Sequence, residues 1–257
     1  MSIALRLDYM GTSFHGWQRQ KDDPTVQLAL ETAFSPLAGG KDCAFLGCGR
    51  TDAGVHAKSY IASTRADTTV PLEKLPLAMN ARLPAGISVR EAFRVDDSFH
   101  PVFSACGKEY TYTMQTGRVR DPFYADRAFF VPAKLDFDAM CACAPEFLGT
   151  HDFSSMRTLG SNVKTTVRTV TDCELTRNGE LIFIRIRADG FLYNMARTMA
   201  GTLLYAGLGK LREGDISRIL EEKNRSKAGP VLEAQGLCMT GVWYHEPFSF
   251  LGKSENF

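Results

Sequence analysis

One carboxylate stands out for what its surroundings would let it do. Asp52 sits in the stretch GCGRTDAGVHAKS, residues 47 to 59, and is the only acid from Cys43 to Ala66. Arg50, Lys58 and Arg65 surround it in sequence. A turn needs glycine and tolerates Asp, so a polar loop is the plainest reading. Several chemistries can be weighed against it. The dinucleotide pattern G-x-G-x-x-G fails, because after Gly47 and Gly49 the third glycine position is Asp52. A P-loop fails because no Lys-Ser or Lys-Thr follows, and a carboxylate aimed at a pyrophosphate would repel it. Glycoside hydrolysis wants two carboxylates, and no second acid is near in sequence, although a fold can bring one. The acidic cluster that holds magnesium is missing from this region, and so is the G-x-S-x-G elbow of a serine hydrolase. His56 follows a turn and reads as a hydrogen-bonded structural residue. What remains is a lone Asp kept ionised by a cation, able to act as a covalent nucleophile at a glycosidic carbon.

Such a group needs elements that hold it still. IALRLDY places Ile3, Leu5, Leu7 and Tyr9 on one face of a strand. A glycine-punctuated loop, GTSFHGWQRQ, follows. Asp23-Pro24 then offers a helix cap with Pro at the first helical position, ahead of a stripe of Val26, Leu30, Ala33 and Leu37 that Gly39-Gly40 ends. CAFLG predicts a short buried strand running into the Asp52 loop, and AKSYIASTR a strand leaving it. A second helix runs from Pro71 to about Asn80, with Pro76 an awkward interior residue. KEYTYTMQT alternates Tyr110, Tyr112 and Met114 on one strand face. A helix is expected over Met140 to Leu148, and a mobile Ser/Thr/Gly/Asn-rich loop over residues 154 to 166. Asn178-Gly179 between two alternating stretches signals a hairpin. Its second strand puts Ile182, Ile184 and Ile186 on one face and Phe183, Arg185 and Arg187 on the other. FLYNMARTMAGTLLYAG reads as a helix with Arg197 off its main apolar stripe, Asp215 as the cap of another, and GLCMTGVWY as a closing strand. GKSENF reads as a loose tail. The order is β-α-β-α-β and then β-α-β-β-α-α-β: an α+β fold with helices on one side of mainly antiparallel sheets.

The chain has 257 residues, 44% hydrophobic and 23% charged, enough for a full core as one large unit or two smaller ones. No apolar run approaches the ~18 residues of a membrane span, and the first ten residues do not read as a secretory signal. The expectation is a cytoplasmic protein. Seven scattered cysteines without a CxxC pair argue for reduced thiols over a zinc site. The net charge of +1 does not announce a nucleic-acid binder, so RNA contact would have to come from local clusters. One candidate holds Arg157, Lys164 and Arg168 with no acid between Asp152 and Asp172.

Beyond these readings, GRTDAGVHA (Gly49 to Ala57) resembles the signature of the TruA family of tRNA pseudouridine synthases. GTSFHGWQRQ, NARLP (80–84), FSACGKEYTYTM (103–114), HDFSSMR (151–157), TVRTV, GFLYNMARTMAGTLLYAG (190–207) and GLCMTGVWY occur in the family's order, so the resemblance spans nearly the whole chain. It implies that Asp52 is the catalytic nucleophile and that Arg197 pairs with it. It implies that Arg50 helps hold the target nucleotide out of the stack, that Tyr110 packs on the uracil and is a candidate base, and that Leu237 lines the pocket. Taken by their residues alone, Tyr110 and Tyr112 read as core, and Arg185 and Arg187 as a solvated strand face. Met10, Pro101-Val102 and Ala196 depart from the family's pattern. Val102 stands where a basic residue is common, so one RNA contact is expected to be missing.

The resemblance further implies two similar halves joined around a central cleft, residues 1–105 carrying the Asp loop and 106–257 the Tyr strand and Arg helix. It implies isomerisation of uridine to pseudouridine in the tRNA anticodon arm, at tRNA positions 38 to 40, by a homodimer. No metal, nicotinamide or flavin is called for. A non-catalytic tRNA-binding protein and a glycosyl hydrolase stay open as rivals.

Overall fold

The computed structural model describes residues 2–40, 43–160 and 163–252. Most of the expected tail, and Ser161 and Asn162 of the expected mobile loop, lie outside the described residues. In chain order the main elements are β1 (Ser2–Tyr9), α1 (Val26–Phe34), β2 (Leu46–Gly47), β3 (His56–Thr64), α2 (Leu75–Asn80), β4 (Ile87–Val95) and β5 (Ala105–Thr116). Then come β6 (Phe129–Val131), α3 (Phe137–Cys143), β7 (Gly149–Asp152), β8 (Val167–Asn178), β9 (Leu181–Ala188), α4 (Met195–Gly207), α5 (Asp215–Glu222) and β10 (Leu237–Tyr244). The class is α+β, as the pattern of elements predicts.

The chain forms two compact units, Met1–Lys108 with Cys238–Phe257, and Glu109–Leu237. The division by sequence alone assigned residues 238–257 to the second half. The structure groups them with the first, in which β10 pairs parallel with β3 through Cys238↔His56 and Met239↔Ala57.

In the first unit the strand order is β4-β1-β3-β10, and β2 also lies along β3. β1 runs antiparallel to both β3 and β4, with Leu5 opposite Ala62 and Ala92. Ile3, Leu5 and Leu7 are fully buried, and so is Ala4 from the opposite face. The cap of α1 is Thr25, not Asp23: the Thr25 hydroxyl accepts from Leu28 N at 3.3 Å, while Asp23 pairs with His15 at 2.9 Å. α2 begins only at Leu75. Pro76 therefore falls in the first turn, where its missing N–H has no intrahelical partner to lose. Asn80 then ties α2 to β4, donating to Val89 O at 2.9 Å and accepting from Val89 N at 2.8 Å.

In the second unit the order is β5-β9-β8-β7, with β6 parallel to β5. Ile182, Ile184 and Ile186 of β9 are fully buried, and the register Asn178↔Leu181 makes Gly179 and Glu180 the two turn residues. The turn thus sits one residue later than Asn178-Gly179. α3 starts at Phe137, capped by Asp136, and Pro145 opens a following 3-10 turn. α5 is preceded by Gly214, and Asp215 is its first residue rather than its cap.

Candidate active site

Residues 48 to 55 cross from β2 to β3 and carry Asp52. Each flank of that carboxylate is fastened. Cys48 is fully buried and its N–H donates to Ile61 O at 2.9 Å. Burial pushes the Cys48 thiol up to about 11, against the opposing pull of Lys108. The Tyr60 hydroxyl donates to Gly49 O. Thr51 is buried, its carbonyl accepts from Trp17 N at 3.1 Å, and its hydroxyl shares a 2.8 Å hydrogen bond with the Tyr9 hydroxyl. Val55 N donates to Asp52 O at 3.1 Å and closes the turn, and Gly54 N donates to Phe14 O at 3.3 Å.

The segment that grips this turn is the loop after β1, and it comes so close that one position demands glycine. Gly16 has φ +82°, and a Cβ there would lie 2.5 Å from Thr51 O and 3.1 Å from Asp52 C. Trp17 stacks on Tyr60 with ring centroids 4.5 Å apart, and His56 is buried with its Nδ1 accepting from Gly11 N at 2.9 Å. His56 is thereby a structural acceptor, as expected of a lone His after a turn. With Thr51 and Val55 buried on either side, Asp52 is half-buried and Arg50 is exposed. Backbone anchors fix the turn from which the carboxylate projects.

The second unit carries Tyr110, Arg197 and Leu237. Tyr110 on β5 is buried to 8% exposure and meets Phe191 edge-on, with centroids 4.8 Å apart. Tyr112 is fully buried, its hydroxyl donates to Glu233 O at 2.7 Å, and burial drives its phenol well above the ordinary range. Arg197 opposes that shift and Glu233 adds to it. Arg197 projects from the first turn of α4, where Nε donates to Leu232 O at 2.7 Å and one terminal nitrogen to Asn194 Oδ1 at 2.7 Å. Leu232 can lie there because α4 has Gly201 at the crossing: a Cβ at that position would be 2.0 Å from Pro230 O. Leu237 is buried at the start of β10 and follows Gly236, whose missing side chain makes room for the Tyr112 ring. Asp52 and Arg50 thus belong to the first unit, and Tyr110, Arg197 and Leu237 to the second.

Other cations divide. Arg185 pairs with Asp172 at 2.9 Å and with Glu174. Arg187 lies 3.5 Å from the Glu109 carboxylate, which is 1% exposed, so it is more than a solvated strand residue. Arg168 donates to Thr165 O at 3.1 Å, and Lys164 is exposed. Val102, the departure at a commonly basic position, is exposed at 38%. Sequence reasoning missed Glu109, Lys108, Asn194 and Leu232. Only Glu109 had a visible signal, an acid opening a buried strand next to Tyr110.

Residues 143–245 match a family model described as tRNA pseudouridine synthase. A protein named tRNA pseudouridine synthase A from Acetivibrio thermocellus is 40% identical over 243 residues, covering 95% of this chain and 99% of that protein. One of the same name from Geobacter sp. strain M21 is 41% identical over 246 residues, with the same coverage. Another, from Thermoanaerobacter sp. strain X514, is 40% identical over 243 residues, again at 95% and 99%.

Proposed function

Because the chain belongs to the tRNA pseudouridine synthase A family, we propose that it isomerises uridine to pseudouridine in the anticodon arm of tRNA, at positions 38 to 40, with Asp52 as nucleophile. The observation that carries the reading is the Asp52 turn: a half-buried carboxylate held between the buried Thr51 and Val55 by backbone hydrogen bonds from another loop. A group that must meet one carbon of a substrate needs this rigidity, because a misplacement of about 1 Å can cost roughly 10²-fold in rate.

The uridine leaves the stack at a cost of roughly a few kcal/mol. Arg50, exposed two residues before Asp52, holds the flipped nucleotide, and Tyr110 packs on the uracil. Asp52 attacks at C1′ of the ribose or at C6 of the base. The N1–C1′ bond breaks, the uracil turns in place, and C5 bonds to C1′. The C5 proton is lost and N1 gains one, so no oxidant or reductant is consumed. Arg197 is the charge partner of the carboxylate, and Leu237 contributes apolar lining that keeps water from diverting the intermediate to an abasic site. Its two neutral acceptors, Leu232 O and Asn194 Oδ1, support the role of Arg197, since they orient the guanidinium without neutralising it. The protein works as a homodimer in the cytoplasm. Pooling the basic loops of two copies into one groove suits a chain whose net charge is only +1. Among the described residues no helix is long and apolar enough to cross a membrane.

The test is chemical mapping of an unmodified tRNA after incubation with the protein. Carbodiimide stops at positions 38 to 40 and nowhere else are expected. Free uracil would favour a hydrolase, and binding without any change in the RNA would favour a non-catalytic tRNA-binding protein.

A further inference from the structure

We propose that Asn194 is a positioning residue for Arg197, holding one nitrogen of its guanidinium while anchored in turn on Thr158. The inference rests on Arg197 serving the reacting carboxylate as its charge partner.

Asn194 sits at the N-cap of α4, where its carbonyl accepts from Thr198 N at 2.9 Å. An Asn at this position ordinarily spends its side chain on the backbone N–H of the second or third helical residue. This one makes no such cap bond. Its Oδ1 accepts from Arg197 at 2.7 Å, and its Nδ2 donates to Thr158 Oγ1 at 3.0 Å. The amide's orientation is fixed by chemistry, since a guanidinium has only donors and must face the oxygen. The backbone at Asn194 is left-handed, with φ +60°, a conformation that costs most residues roughly 1–2 kcal/mol but that Asn tolerates. A helix start that forgoes its cap bond and takes a left-handed residue has given up two local preferences. Both concessions aim one side chain at Arg197.

The other side of the guanidinium is fixed independently. Nε donates to Leu232 O, and the segment bearing Leu232 is pinned to α4 by Gly229 N donating to Thr202 Oγ1 at 3.0 Å and by the close approach of Pro230 to Gly201. Two acceptors at different nitrogens leave the planar group little freedom to rotate. Both are neutral, so they fix direction while leaving charge in place. Titratable groups acting in this neighbourhood include Tyr112, which remains a neutral donor to Glu233 O, and the Glu233 carboxylate.

The test compares Asn194→Gly and Asn194→Asp with the unaltered full-length protein. Gly keeps the backbone conformation and removes both side-chain bonds. Its kcat for hydrogen release from C5-tritiated tRNA is expected to fall about 10²-fold, while tRNA Kd and Tm stay near the starting values. Asp keeps the geometry, with the Thr158 hydroxyl now donating, but adds a carboxylate that competes for Arg197. The acid limb of its kcat/KM profile is expected to move to higher pH, because the reacting carboxylate loses part of what keeps it ionised. Unchanged kcat in the Gly variant would overturn the inference. So would losses in both variants that track a fallen Tm with an unmoved pH profile, the mark of a merely structural residue. A readout free of turnover separates this from the proposed function: the resonance of the Arg197 terminal guanidinium N–H that faces Asn194 Oδ1 is expected to be protected in the unaltered protein and exchange-broadened in Asn194→Gly. If the unaltered protein releases no hydrogen, the functional reading fails, and this resonance still decides whether Asn194 positions Arg197.

Discussion

Gly16→Ala probes the grip on the Asp52 turn without touching any group assigned to the reaction. The new Cβ would sit 2.5 Å from Thr51 O, where approaches under 3.0 Å are essentially never seen. The atoms in the way are backbone, including Asp52 C at 3.1 Å and Ala53 N at 3.3 Å, so no flexible side-chain end can yield. The two loops must separate by at least ~0.5 Å, and the carboxylate moves with its turn. Left-handed strain at φ +82° adds about 1–2 kcal/mol, and overpacking about 1–3 kcal/mol. At about 2–4 °C per kcal/mol for a chain of this size, Tm should drop by several degrees or more. A displacement of that order in a nucleophile predicts a fall in kcat of roughly 10- to 100-fold. Gly39→Ala is the control. Gly39 is also left-handed, at φ +72°, but a Cβ there meets nothing within 4 Å. It should show the strain alone: a smaller loss of Tm and full kcat. Calorimetry and tritium release on the three proteins provide the comparison. Equal kcat in Gly16→Ala and Gly39→Ala would refute the argument that this contact sets the position of Asp52.

Two further outcomes follow from local geometry. Thr25→Ala removes the α1 cap and should cost about 1 kcal/mol, read as a lower urea midpoint, whereas Asp23→Ala should leave that midpoint nearly unchanged. Burial alone would raise the Asp152 carboxyl, yet hydrogen bonds from Thr166, Lys223 and Ser154 hold it well below the usual carboxylate range. A depressed folded pKa gives stability that is present above the unfolded value near pH ~4 and lost as pH falls toward the folded one. Asp152→Asn should therefore be less stable than the unaltered protein at pH 7, and the gap in urea midpoint should close below pH 4. A gap that is constant with pH would contradict this.

Strands were legible wherever alternation was backed by burial on one face, as in Ile182, Ile184 and Ile186. The strand Ile87–Val95 was not singled out, because its burial is uneven and Arg90, Glu91 and Arg94 break the alternation. Boundaries failed where two residues competed for one job. Asp23 and Thr25 both suit a cap, and the Asp23 carboxylate lies instead against His15 at 2.9 Å. Pro76 looked disruptive only because the helix was started at Pro71, four residues before Leu75. The Asp52 turn was legible as chemistry, since its glycines and lone acid lie together in sequence. The devices that hold it were not: Gly16 and Tyr9 reach it from the loop and strand that precede α1. Asn194 was hidden for a different reason. It lies within the stretch read as helix, and only the helix start at Met195, the left-handed backbone and the bond to Arg197 single it out.

The central claim is that Asp52 carries out the isomerisation. It is tested most directly by hydrogen release from C5-tritiated uridine in unmodified tRNA, with the unaltered protein beside Asp52→Ala and with tRNA binding measured for both. The account predicts release by the first, none by the second, and equal binding. Release that survives in Asp52→Ala, or no release by either protein while both bind tRNA, would contradict it.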